Sequence, residues 1–109
     1  LVDPAPVSVP AGTTQASLVK DIKRTLLTRG WTITAESPGQ MDSTLFVRDH
    51  VAKIHVTYDT QSVKFSYVDS TNLDYKIKDG TPWIHANYLN WMMYLTKDLG
   101  TNLQLSQIQ

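Results

Sequence analysis

Three histidines, at positions 50, 55 and 85, are the side chains of this sequence best suited to proton transfer or metal binding. Their placement supports neither. His50 falls in an expected turn and His55 on the water-facing side of an expected strand, so the two do not converge. No cysteine is present, which removes thiolate catalysis, disulfides and cysteine-based zinc sites together. No carboxylate stands at ligand spacing from a histidine along a helix. The expectation is therefore no metal site and no cofactor.

Other catalytic arrangements fare no better. A serine nucleophile needs a histidine base held by a third group, and no Gly-x-Ser-x-Gly elbow occurs. Asp69, Asp74 and Asp79 share one connecting region, where short carboxylates make turns, and Asp98 lies at the far end of the second helix. Each of the five glycines is accounted for by a turn or a cap, leaving no phosphate-cradling loop. Lys20, Lys23, Arg24 and Arg29 form a basic cluster on the first helix, but it has no aromatic stacking platform beside it, and nucleic acid is not an expected partner. No residue is assigned a catalytic role, and the chain reads as a non-enzyme.

The unusual stretch is Ser70 to Leu95, which concentrates Tyr75, Trp83, Tyr88, Trp91 and Tyr94 with Asn72 and His85. Tyr88 and Trp91 belong to an apolar helical stripe, whereas Trp83, Asn87 and Tyr94 fall away from it. Aromatics with one polar end suit partner surfaces. Asn72, Tyr75, Trp83, His85, Asn87 and Tyr94 are therefore the candidate binding residues. His85 sits at an expected helix start, where the free N–H groups disfavour a cation. It is expected to act as a clamp, its ring bonded to the backbone of the Asn72–Tyr75 loop. The enzymatic alternative, a hydrolase using His85, needs that ring open and bonded to Asp69, Asp74 or Asp79.

These residues need elements to hold them. Leu18, Val19, Ile22 and Leu26 recur at helical spacing between Thr14 and Arg29, with Thr13 or Thr14 as cap and Gly30 as stop. Four strands follow. Trp31, Ile33 and Ala35 alternate with polar residues, and Ser37-Pro-Gly-Gln40 turns the chain. Leu45 and Val47 lead into a turn at Asp49-His50, which sets Val47 opposite Ala52 and Leu45 opposite Ile54. A turn from Asp59 to Ser62 sets Tyr58 opposite Val63, Val56 opposite Phe65 and Ile54 opposite Tyr67. The other face, with Thr32, Thr34, Thr44, Arg48, Lys53, His55, Thr57, Lys64 and Ser66, is polar apart from Phe46 and Val68, and faces water. Thr81 caps a second helix with Pro82 first inside it, and Gly100 ends it. Ile84, Tyr88, Trp91, Leu95 and Leu99 make its buried stripe. The fold class is α+β, a two-layer sandwich in which two helices cover one face of a four-stranded antiparallel meander, α-β-β-β-β-α.

The chain has 109 residues, a length suited to one core, placed at 13–100. Residues 101–109 read as a polar tail, frayed or adding Leu103 and Leu105 as an edge strand. Ten basic residues balance ten acidic ones, so no global field recruits nucleic acid or anionic lipid. No apolar run is long enough to span a bilayer as a helix. Residues 1–12 hold three prolines and no periodicity and read as an extended tether, with a removed signal or lipoprotein leader as the expectation upstream.

Two motifs carry a resemblance. Ser70-Thr71-Asn72-Leu73-Asp74-Tyr75 has the form Ser-x-Asn-Leu-x-Tyr, and Ile84, His85, Tyr88, Trp91 and Leu95 have the form Ile-His-x-x-Tyr-x-x-Trp-x-x-x-Leu. Together they resemble a family of small bacterial envelope proteins, often lipoproteins, that have no assigned activity. Members of that family carry Asn directly after the Tyr, where this chain has Leu89 and then Asn90. The resemblance implies export to the periplasm or an outer-membrane anchor, with membrane contact only through a lipid upstream of residue 1. It implies no reaction. The functional expectation is a non-catalytic envelope domain acting by protein interaction or structural contact. A small-ligand or lipid-binding module is the alternative.

Overall fold

The computed structural model describes residues 1–108, so Gln109, the end of the expected tail, lies outside the described residues. The elements run β1 (Val7–Ser8), α1 (Gln15–Thr28), β2 (Thr32–Ser37), β3 (Gln40–Val47), β4 (His50–Tyr58), β5 (Ser62–Thr71), β6 (Lys76–Lys78), β7 (Thr81–Trp83) and α2 (Ala86–Ile108). The main sheet is antiparallel with spatial order β1-β5-β4-β3-β2, and β6 and β7 form a separate hairpin. Both helices pack on one face of the sheet, which gives the expected α+β sandwich. The core joins Leu18, Ile22 and Leu26 of α1 to Met41, Leu45, Ala52, Ile54, Val56, Val63 and Phe65 of the sheet and to Tyr88, Met92, Leu95, Leu99 and Leu103 of α2. Each of the Val, Leu, Ile, Met and Phe side chains among them contributes about 1.5–3 kcal/mol on burial.

The start of α1 and most of the sheet follow the expectation. Thr14 Oγ1 accepts from Ser17 N–H at 3.1 Å, capping α1. Pro38 and Gly39 make the β2–β3 turn, which closes only because Gly39 adopts φ +81. Tyr58 faces Val63, Val56 faces Phe65 and Ile54 faces Tyr67, as expected. Phe46 and Val68 stay exposed on the helix-free face.

The β3–β4 register is a correction. Val47 pairs with His50 rather than Ala52, and Leu45 pairs with Ala52 rather than Ile54. The turn is Arg48-Asp49, with Arg48 in the left-handed region at φ 56, a conformation disfavoured for a residue with a Cβ. Because the slip is two residues, every side chain keeps its face. It also lengthens β3 back to Gln40 and brings Met41 and Ser43 onto the buried side.

Three further expectations change. Residues 1–12 are not a free tether, since Val7 and Ser8 pair with Val63 and Ser62 and make a fifth strand. Thr81 and Pro82 do not start α2. They belong to β7, because Asp79 and Gly80 both take positive φ and make a two-residue hairpin turn. Gly100 does not end α2, which runs on to Ile108. Residues 101–108 are neither frayed nor a strand, because they have α1 to dock on. Leu103 is buried, Asn102 Nδ2 donates to Thr25 Oγ1 at 2.9 Å, and Ser106 Oγ donates to the buried Asp21 at 2.7 Å. The stripe of α2 therefore runs Tyr88, Met92, Leu95, Leu99, Leu103, and Trp91 is only half-buried beside it.

Candidate functional site

The loop Ser70–Tyr75 leaves the end of β5, and its residues are fastened one by one. Ser70 Oγ lies 2.8 Å from the Tyr67 hydroxyl. Asn72 takes φ 59, a region that Asn visits more readily than most residues with a Cβ. Its Nδ2 donates to the Asp49 carbonyl at 2.8 Å, and its own carbonyl accepts from His50 Nδ1 at 2.6 Å. Leu73 is buried, and its carbonyl accepts from the backbone N–H of His85 at 2.7 Å. Tyr75 stacks on Tyr67 at 4.9 Å between ring centroids.

His85 is the N-cap of α2. Its Nδ1 accepts from Asn87 N–H at 3.0 Å, so that nitrogen carries no hydrogen. The expected clamp exists, but the backbone of His85 makes it and the ring does not. The ring is exposed and is turned to its own helix rather than to Asp69, Asp74 or Asp79. His50 comes within 6.3 Å of it, centroid to centroid, and meets Trp91 edge-on at 6.5 Å.

A metal does not suit this histidine pair as it is bonded. Binding at His85 Nε2 would move the ring hydrogen to Nδ1, against the Asn87 N–H that already points there. Among the described residues no group of three potential ligands gathers around one point.

Beyond this lock the β6–β7 hairpin projects into solvent. Lys76 faces Trp83 across it, and Ile77 faces Pro82. Ile77 is 69% exposed, Trp83 52% and Tyr75 43%. Asn72, Tyr75, Trp83, His85 and Asn87 are thus gathered around the hairpin base and α2 start. Tyr94 is not among them. It lies two turns along α2, under the Arg29 guanidinium at 4.8 Å, where Arg29 also bonds Asp98 at 2.5 Å.

Tyr88 lies beneath the lock, edge-on to Tyr67 at 5.5 Å. Its hydroxyl is buried and without a partner among the described residues. Burial pushes its pKa far above the usual phenol value, and the Asp3 carboxylate and Tyr67 add to the shift.

The helix-free face holds a second polar pair that sequence reasoning missed. His55 Nδ1 donates to Asp42 Oδ1 at 2.6 Å, across the β3–β4 ladder. The pair lines a shallow groove of about 260 Å³ with Glu36, Ser37 and Gln40. Beside it Thr34, Thr44, Lys53 and Val68 line another of about 290 Å³, and Thr44 is buried there rather than wetted. A carboxylate-held imidazole can shuttle a proton. The signal for it was the alternation Met41, Ser43, Leu45, Val47, which extends β3 far enough to bring Asp42 opposite His55. The signal for the hairpin was Asp79-Gly80 itself.

Comparison with family models, with curated proteins and with solved structures gives no match.

Proposed function

We propose that this domain acts without catalysis, as a protein-interaction module of the bacterial cell envelope, and that the β6–β7 hairpin is its contact surface. The observation that carries the reading is the exposure of Ile77, Trp83 and Tyr75 on an element whose base is locked. A two-stranded hairpin is marginal alone. This one is held by Leu73 in the core and by the His85–Leu73 backbone bond. Rigid, exposed aromatics offer contact area at low entropic cost, the property of interface anchors. The envelope location rests on the resemblance of the Ser70–Tyr75 and Ile84–Leu95 motifs.

The test is photo-crosslinking in cells from position 83, with position 64 on the open sheet face as control. A discrete protein adduct from position 83, found in the envelope fraction and lost on Lys76→Glu at its cross-strand neighbour, is the expected result. Adducts of equal yield from both positions, or adducts confined to the cytosol, would overturn the reading.

A further inference from the structure

β5 has ten residues, yet on its outer edge β1 pairs only with Ser62 and Val63. Extending the same antiparallel register sets Ala5 opposite Phe65 and Asp3 opposite Tyr67. Backbone groups of that parity point outward. The Gln61 carbonyl accepts from Val9 N–H at 3.0 Å, and Tyr67 N–H donates to Asp3 Oδ1 at 3.0 Å. Residues 1–9 therefore follow β5 without completing a ladder. Pro4 and Pro6 flank Ala5, and their rings fix φ near −65°, away from the antiparallel strand value, so the chain does not lie down as a strand beside Phe65. At Tyr67 a side-chain carboxylate stands where a strand would supply a carbonyl. Leu1, Val7 and Val9 pack against the core, and the Leu1 backbone nitrogen donates to the Pro82 carbonyl.

An unpaired edge is a template for strand addition, and proteins commonly cover it or place proline along it. Here both devices are in one segment, and its backbone ladder is short, two paired residues. The turn that attaches it, from Pro10 to Thr13, is compact, with Gly12 at φ +85 and the Thr13 hydroxyl on the Pro10 carbonyl at 2.7 Å. The cap of α1, Thr14, lies just past that turn, on the helix side of it.

We infer that residues 1–9 are a built-in occupant of a strand-acceptor edge, and that the partner this edge fits is an extended peptide. It carries apolar residues at the places of Val7 and Val9, a hydrogen-bond acceptor opposite Tyr67 and no proline beside Phe65. It displaces the strap and pairs antiparallel with Val63 to Tyr67, recognition by main-chain bonds with side-chain pockets for register. The strap meets the β6–β7 hairpin at one bond, from the Leu1 nitrogen to the Pro82 carbonyl, and the inference does not depend on the reading above.

The test uses the full chain and a synthetic nonapeptide of residues 1–9 in which Pro4→Val and Pro6→Val are made. Asp3→Ala loosens the strap. Ser8→Cys with Ser62→Cys locks it, because these residues are paired at a close, non-hydrogen-bonded position and no other cysteine competes. NMR is expected to show the peptide moving and protecting the Phe65 and Tyr67 amides. Binding to the Asp3→Ala chain should be about fivefold tighter than to the wild type, the worth of one net hydrogen bond. The oxidised double-cysteine chain should not bind, and reduction should restore binding. No binding to the Asp3→Ala chain, or equal binding to the oxidised form, would overturn the inference.

Discussion

His50 and Asn72 tie two loops together reciprocally. The imidazole Nδ1 donates to the Asn72 carbonyl at 2.6 Å, and the Asn72 side chain donates to the carbonyl of Asp49, the neighbour of His50, at 2.8 Å. The β3–β4 turn and the β5–β6 loop are thereby one unit, with Trp91 packed against the edge of the imidazole. The Ser-x-Asn-Leu-x-Tyr motif is in this structure a set of fasteners: a hydroxyl for Tyr67, an amide in left-handed conformation, a core leucine and a stacking ring.

Asn72 carries two separable contributions, its φ of 59 and its side-chain bond. Asn72→Ala loses both and is expected to cost about 2–3 kcal/mol in urea denaturation. Asn72→Gly loses only the bond and is expected to cost about 1 kcal/mol less than the alanine variant. Equal losses would show that the left-handed backbone is not what selects asparagine here.

The unpartnered Tyr88 hydroxyl makes the opposite prediction. Removing a buried polar atom that bonds to nothing relieves its desolvation cost, provided the shape is kept. Tyr88→Phe is therefore expected to stabilise the fold by about 1 kcal/mol. A loss of more than about 1 kcal/mol would mean that the hydroxyl is bonded in solution.

How far the sequence was readable follows from the residues that misled it. Alternation is a strong signal where each face of a strand is uniformly wet or dry, so the register from Tyr58–Val63 to Ile54–Tyr67 was legible, and the bulge beyond it, where Lys53 pairs with Asp69, was not. The β3–β4 turn was not, because its geometry puts Arg48, a poor left-handed residue, where Gly or Asn is usual. Thr81-Pro82 has the local chemistry of a helix start, yet Asp79-Gly80 closes a hairpin first. Local propensity also misplaced the end of α2, since a glycine stops a helix only when nothing downstream can pack. At the candidate site, the Asn72 and His85 positions were legible as important. Their bonds were not, because these join segments that only the folded chain brings together.

Gly100 gives a direct test of that last point. It lies inside α2 without a positive φ, and a Cβ there would meet nothing within 4 Å. Gly100→Ala is expected to raise stability by about 0.5–1 kcal/mol, the helix propensity difference. Destabilisation in thermal or urea unfolding would mean that α2 breaks there after all.

The corrected stripe of α2 can be checked at two adjacent methionines. Met92 is buried and Met93 is exposed. Met92→Ala is expected to cost about 2–5 kcal/mol by opening a cavity, and Met93→Ala less than about 0.5 kcal/mol. Similar losses at both positions would require α2 to be rotated about its axis.

Arg29 and Asp98 join the end of α1 to α2, and their pairing should be visible in the pH dependence of stability. The hydrogen bond from the Arg29 guanidinium holds the Asp98 carboxyl below the usual carboxylate value, and the charges of Arg29 and Lys97 act in the same direction. On unfolding, the carboxyl returns to its ordinary value and binds a proton more readily. The stabilisation is therefore complete above the ordinary value, about 3.9, and is lost as pH falls through the lower value of the folded state. Asp98→Asn keeps the shape and removes the charge. The stability gap between wild type and this variant should be full at pH 7 and close progressively as the pH falls below about 5. Asp59, whose carboxyl is also lowered by the backbone N–H groups of Gln61 and Ser62, is present in both proteins and cancels in the comparison. The pair is partly solvent-exposed, so the gap at pH 7 should be modest and should shrink in high salt. A gap that persists unchanged to pH 2 would show that Asp98 acts through packing or neutral hydrogen bonding and that its charge contributes nothing.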